Sequence, residues 1–83
     1  MTYSKVEMEI LRKAETIGIL KIDKMKHFET MENINDDIRA GLAWGEKDKT
    51  IHAIGEMGMS LIYLCAILDV NFVDCLELAH ERS

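Results

Sequence analysis

Met57-Gly-Met-Ser-Leu-Ile-Tyr-Leu-Cys-Ala-Ile-Leu68 holds no charged side chain from its first residue to its last. Ile51, Ile54, Gly58, Leu61, Cys65 and Leu68 recur through and ahead of it at the spacing of one helical stripe, which predicts a helix from near Glu46 to about Leu68. A helix that is apolar on all sides has to be covered on all sides. Three other helices are too few to do that, so a second copy of the chain is the expected cover, with Met57, Leu61, Ile62, Leu64 and Ile67 as the expected interface.

Working outward, Gly45 closes the preceding helix and Asp23 opens it as a side-chain cap, with Met25, Phe28, Met31, Ile34, Ile38 and Leu42 as its apolar marks. Before it, Ser4 followed by Glu7 has the form of a capping box, and Val6, Ile10, Ala14 and Ile17 lead to Gly18 through a first helix over 4–17. Ile19 to Ile22 form an apolar connector. Beyond the charge-free run, Asn71 caps a short fourth helix, with Asp74 at the third position and Phe72, Leu76 and Ala79 expected to face inward. The expectation is an all-α chain of four helices, one domain over residues 1–83, assembling into an oligomeric bundle.

Composition narrows the function. The 83 residues are 48 % hydrophobic and 30 % charged, as in a folded domain. A domain of this size buries only about 60 to 65 % of its unfolded surface alone, so its core is marginal without a partner. A net charge of -5 argues against a phosphate-backbone binder, and nucleic acid is not an expected partner. The N-terminus has neither the basic start nor the apolar run of a signal peptide, and no stretch reaches the ~18 apolar residues of a membrane span. A cytoplasmic location is expected, host cytoplasm if the gene is viral, with no membrane contact. Cys65 and Cys75 lack zinc or redox-motif spacing and are expected to be buried, reduced thiols.

Four segments carry a resemblance: Asp23-Lys-Met-Lys-His-Phe28, Ala40-Gly-Leu-Ala-Trp-Gly-Glu46, Ile51-His-Ala-Ile-Gly-Glu56 and Asp74-Cys-Leu-Glu-Leu-Ala79. In order and spacing they resemble the short MazG-like proteins of phages and Firmicutes, over Ile17 to Glu81 without a gap. The resemblance implies a four-helix, obligately oligomeric scaffold that binds Mg²⁺ and cleaves nucleoside triphosphates between the α and β phosphates. It also implies an acidic ExxE pair on one helix and an acidic pair on the next, hard oxygen donors of the kind Mg²⁺ demands.

Carried over by position, the ExxE pair falls on Ile34 and Asp37, with Asn33 where a further glutamate is common, and the second pair falls on His52 and Glu56. Isoleucine has no donor atom, and histidine suits softer metals than Mg²⁺. A register slipped by one residue would instead bring in Glu32 and Asp36. Glu81 stands where the family pattern has an asparagine ahead of basic residues, leaving Arg82 as the cation near the phosphates. The expected site is therefore a vestigial or weak metal centre drawn from Glu32, Asp36, Asp37, His52 and Glu56. No catalytic residue is assigned and no cofactor is expected.

Two functions follow. The first is a catalytically impaired MazG-like oligomer acting as a protein-binding module, in the manner of a phage inhibitor or modulator of a host system. Its partners would be itself, as a dimer or dimer of dimers, and a protein with a basic surface. Trp44 would be the aromatic anchor and Glu29, Glu32 and Asp36 the flanking charges. The second is a surviving pyrophosphohydrolase of weak or unusual activity, requiring Mg²⁺ and releasing a nucleoside monophosphate and pyrophosphate.

Overall fold

In the computed structural model, residues 5–83 are described. They form α1 (Lys5–Ile17), a 3₁₀ turn (Ile19–Lys21), α2 (Lys24–Ala43), α3 (Lys47–Ile67) and α4 (Phe72–Glu81), and no strand occurs among them. Ser4 lies outside the described residues, so the capping box has only its Glu7 half in view.

Each junction has a local cause. Gly18 leaves α1 at φ 77°, in the left-handed region that a side chain disfavours. Asp23 caps α2 by accepting from Met25 N at 3.2 Å, and Asn71 caps α4 by accepting from Val73 N at 2.8 Å. Between α2 and α3, Glu46 N donates to Gly41 O at 2.9 Å and Gly45 N to Leu42 O at 3.4 Å, the two bonds of a Schellman turn. The same pair closes α3: Val70 N donates to Cys65 O at 2.8 Å and Asp69 N to Ala66 O at 3.1 Å.

Contacts divide the chain into two compact units. One is Asp23–Ser60, the hairpin of α2 and the first part of α3; the other is the chain up to Ile22 together with Leu61–Ser83.

Within the hairpin Ile34 is buried as expected, but the rest of the inward face is not the expected one. α2 buries His27, Ile34 and Gly41, and α3 buries Thr50, Ala53 and Ser60, a heptad-like seam of mostly small or polar residues. A Cβ on Gly41 would overlap Thr50 Oγ1 and stand 3.3 Å from Thr50 N, so glycine is what lets the two helices approach this closely. Thr50 in turn is fixed by its backbone N–H and its hydroxyl, which both donate to Glu46 O. Ile51 and Ile54, expected to face inward, are more than half exposed, as is Leu42. One residue along a helix is a rotation of 100°, and that rotation separates the expected stripe from the observed seam.

In the other unit the expected stripe of α1 is met at Ala14 and, half-buried, at Ile10, but not at its ends. α1 buries Glu7 and Ala14 while Val6 and Ile17 stay exposed. In α3 beyond the hairpin, Ile62 is buried and Leu61, Leu64 and Ile67 are half-buried, so this chain already covers part of the expected interface. Leu68, Leu76 and Ala79 are exposed instead of inward, whereas Phe72 is half-buried. α3 corrects one further expectation. By length and composition it is long and apolar enough to cross a membrane, with a mean hydropathy of 1.4 over its most apolar window. Core helices of soluble proteins share that property, and it does not place the chain in a lipid bilayer.

Candidate functional site

Three of the four acidic residues of α2, Glu32, Asp36 and Asp37, lie on two grooves of the hairpin. Glu32 and Asp36 line the first, of about 400 Å³, with Phe28, Met31, Asn35, Arg39 and Met57. Asp36 Oδ1 stands 4.0 Å from Arg39 Nη1, an exposed pair one helical turn apart. Asp37 lines the second groove, also about 400 Å³, with Asp48, Lys49, His52, Ala53 and Glu56. There His52 Nε2 lies 3.4 Å from Glu56 Oε1 across one turn of α3, with the histidine largely in solvent and the glutamate about half exposed. Lys49 Nζ reaches Glu46 Oε2 at 2.6 Å, and that hydrogen bond, with the glutamate charge, holds the lysine pKa above its ordinary value.

These positions answer the metal question chemically. Ile34, at an expected ligand position, is buried in the hairpin and offers no donor atom. The carboxylates of Glu32 and Asp36 share one groove, while Asp37, His52 and Glu56 share the other. Among the described residues, no three histidine, cysteine or acidic groups come together as a metal-binding set. A Mg²⁺ bound through protein oxygens and bridging phosphates needs converging carboxylates; Asp37, Asp48 and Glu56 line one groove but do not come together as such a set.

Trp44 ends α2, its backbone N–H donating to Ala40 O at 3.0 Å, and its side chain is 79 % exposed. The indole is therefore mostly in solvent and not packed on a neighbouring helix of this chain. Glu29 is exposed on α2 as well, but neither it nor Trp44 lines the groove of Glu32 and Asp36. Beside Trp44 lies a smaller hollow of about 220 Å³ formed by Gly41, Leu42, Gly45, Lys47, Thr50 and Ile51, its side chains mainly apolar or small.

Sequence reasoning missed the buried polar set and the cysteine pair. Glu7, His27, Thr50 and Ser60 are all buried, yet none belongs to an apolar pattern. Cys65 is half-buried and Cys75 exposed, and their sulfurs stand 4.0 Å apart. Burial pushes the Cys65 thiol up to about 11, and its hydrogen bond to Cys75 and the charges of Cys75 and Glu7 act in the same direction. The ten-residue separation across a helix junction signals such a meeting only once the turn at Leu68 to Asn71 is known.

No family model, curated protein or solved structure matches the chain.

Proposed function

We propose that this chain is a MazG-like helical oligomer that works by binding other proteins rather than by hydrolysing nucleotides. The observation that carries the reading is the rotation of the hairpin seam: small and polar residues face inward, while Leu42, Ile51, Ile54 and Trp44 stand in solvent. Full burial of an isoleucine or leucine is worth about 1.5 to 3 kcal/mol, so a contiguous set of them left outside favours association. Self-association then uses the Leu42, Ile51 and Ile54 surface of the hairpin, and Leu61, Leu64 and Ile67, half-covered in the other unit, offer a separate apolar face. Trp44 serves as the anchor for a second protein, and Glu29, Glu32 and Asp36 steer a basic partner surface toward it.

The departures at Ile34 and Glu81 and the separation of the carboxylates support the loss of hydrolysis. The groove of Asp37, Asp48, His52 and Glu56 favours the alternative of a weak Mg²⁺-dependent pyrophosphohydrolase. One assay separates them. Canonical and modified nucleoside triphosphates incubated with Mg²⁺ should release no pyrophosphate above background. Turnover of even ~1 s⁻¹ would overturn the binding-module reading. Binding itself is tested by Trp44→Ala, which should weaken capture by a purified basic partner and leave the homo-oligomer intact by light scattering. A folded 9.5 kDa monomer at micromolar concentration would remove the oligomer.

A further inference from the structure

We propose that Cys65 and Cys75 form a thiol–disulfide exchange site, which a small neutral or cationic disulfide closes into an intramolecular bond that clasps the end of α3 to the start of α4. This stands apart from the binding-module reading and needs no part of it.

The backbone holds both cysteines in place before any reaction. Cys65 is in the last turn of α3, and its carbonyl accepts from Val70 N at 2.8 Å. Cys75 is in the first turn of α4, and its N–H donates to Asn71 O at 3.1 Å, while the Asn71 side chain caps the same turn. With both turns fixed, the sulfurs lie 4.0 Å apart, about 2 Å more than the bond they would form.

Exposure assigns the order of steps. Cys75 is exposed and lines a groove of about 460 Å³ with Asp69, Val70, Asn71, Asp74 and Leu78, so a small disulfide reaches it first. The Cys75 thiolate attacks one sulfur of the reagent, forms a mixed disulfide and releases one thiolate. Cys65 then gives its proton to solvent, attacks the Cys75 sulfur and releases the second thiolate. Two protein thiols are oxidised and one reagent disulfide is reduced to two thiols. Asp69 and Asp74 set the reagent class, because their carboxylates repel an anionic disulfide and favour a cationic one. Glu7 from α1 and Cys75 from α4 act on Cys65 electrostatically, and its raised pKa lowers the fraction of thiolate available for the closing step at neutral pH.

The test treats the full chain with cystamine, with 2-hydroxyethyl disulfide and with oxidised glutathione, and follows intact mass and free thiols. Cystamine should give a monomeric chain lighter by about 2 Da with no free thiol left. It should react roughly tenfold faster than oxidised glutathione, the difference shrinking at high salt. Cys65→Ser should stop at a stable mixed disulfide on Cys75, and Cys75→Ser should leave Cys65 unreactive while the chain is folded by circular dichroism. A wild-type product that keeps one or two reagent adducts, or a disulfide between chains, would overturn the site. Equal rates for the cationic and anionic reagents would overturn the role given to Asp69 and Asp74.

Discussion

The two halves of α3 meet their surroundings in opposite ways. In the hairpin half, Thr50, Ala53 and Ser60 are buried while Ile51 and Ile54 stand more than half in solvent. In the charge-free half, Ile62 is buried and Leu61, Leu64 and Ile67 are partly covered by residues of the same chain. Absence of charge therefore does not locate the apolar face that the chain's own packing leaves uncovered, and in the hairpin that face is the more apolar one.

Ile62→Ala and Ile54→Ala break this comparison most directly. Removing a buried isoleucine side chain costs about 2 to 5 kcal/mol through lost transfer energy and the cavity left behind. Ile62→Ala should fall in that range at any protein concentration. Ile54→Ala should cost less than about 1 kcal/mol in dilute solution, because a half-exposed side chain gives up little on truncation, and its larger effect should be a weaker self-association. Urea unfolding at two protein concentrations separates the cases. Equal, concentration-independent costs at both positions would show that Ile54 is core and that the rotated seam is wrong.

The next effect concerns the seam itself. Gly41→Ala gains about 1 kcal/mol of helix propensity but places a methyl on the Thr50 hydroxyl, and overpacking of this kind costs about 1 to 3 kcal/mol. Thr50 gives way poorly, being β-branched and hydrogen-bonded to Glu46 O at 2.9 Å. Net destabilisation of about 1 kcal/mol is expected, and adding Thr50→Ala should recover most of it despite the lost hydrogen bond. If Gly41→Ala stabilises the protein in a chemical melt, the two helices do not approach closely there.

Much of this architecture was legible in the sequence, for reasons that also explain what was not. The four helices and their order follow from caps and breakers that act within a few residues: Gly18, Asp23, Gly45 and Asn71 all sit at the junctions expected of them. The inward faces were read correctly at Ile34 and Ala14 but missed elsewhere, because wide apolar stripes cover more than one face of a helix, and in the hairpin only the close Gly41 to Thr50 approach decides which of them turns in. Glu7 shows the same limit, since a glutamate in a first turn reads as a cap partner and its burial depends on distant residues of the chain. The candidate metal residues were legible as an acidic pattern, but their division between two grooves is a matter of side-chain direction around α2. Trp44 was singled out by its place beside Gly45, and its exposure followed.

The smallest expected effect compares the two Schellman turns, which make the same hydrogen bonds with different residues in the left-handed position. Gly45 adopts φ 67° without a Cβ to obstruct it, whereas Asp69 adopts φ 59° with one. The left-handed region costs an ordinary side chain about 1 to 2 kcal/mol, less for aspartate and asparagine, whose short polar groups bond locally. Asp69→Gly should therefore stabilise the chain by about 0.5 kcal/mol, part of the gain being offset by the larger backbone entropy of glycine in the unfolded state. Gly45→Ala should destabilise it by about 1 kcal/mol or more, since nothing lies within 4 Å of the new Cβ and the cost is conformational alone. Asp69→Asn separates shape from charge: it keeps tolerance of the left-handed conformation, removes a carboxylate from the groove beside Cys75, and should leave the melting temperature nearly unchanged. For a chain of this size 1 kcal/mol corresponds to roughly 4 to 8 °C, so thermal melts resolve all three variants. A drop in melting temperature for Asp69→Gly would show that the aspartate side chain holds the α3 to α4 turn together, and the two turns would then differ in mechanism and not only in residue.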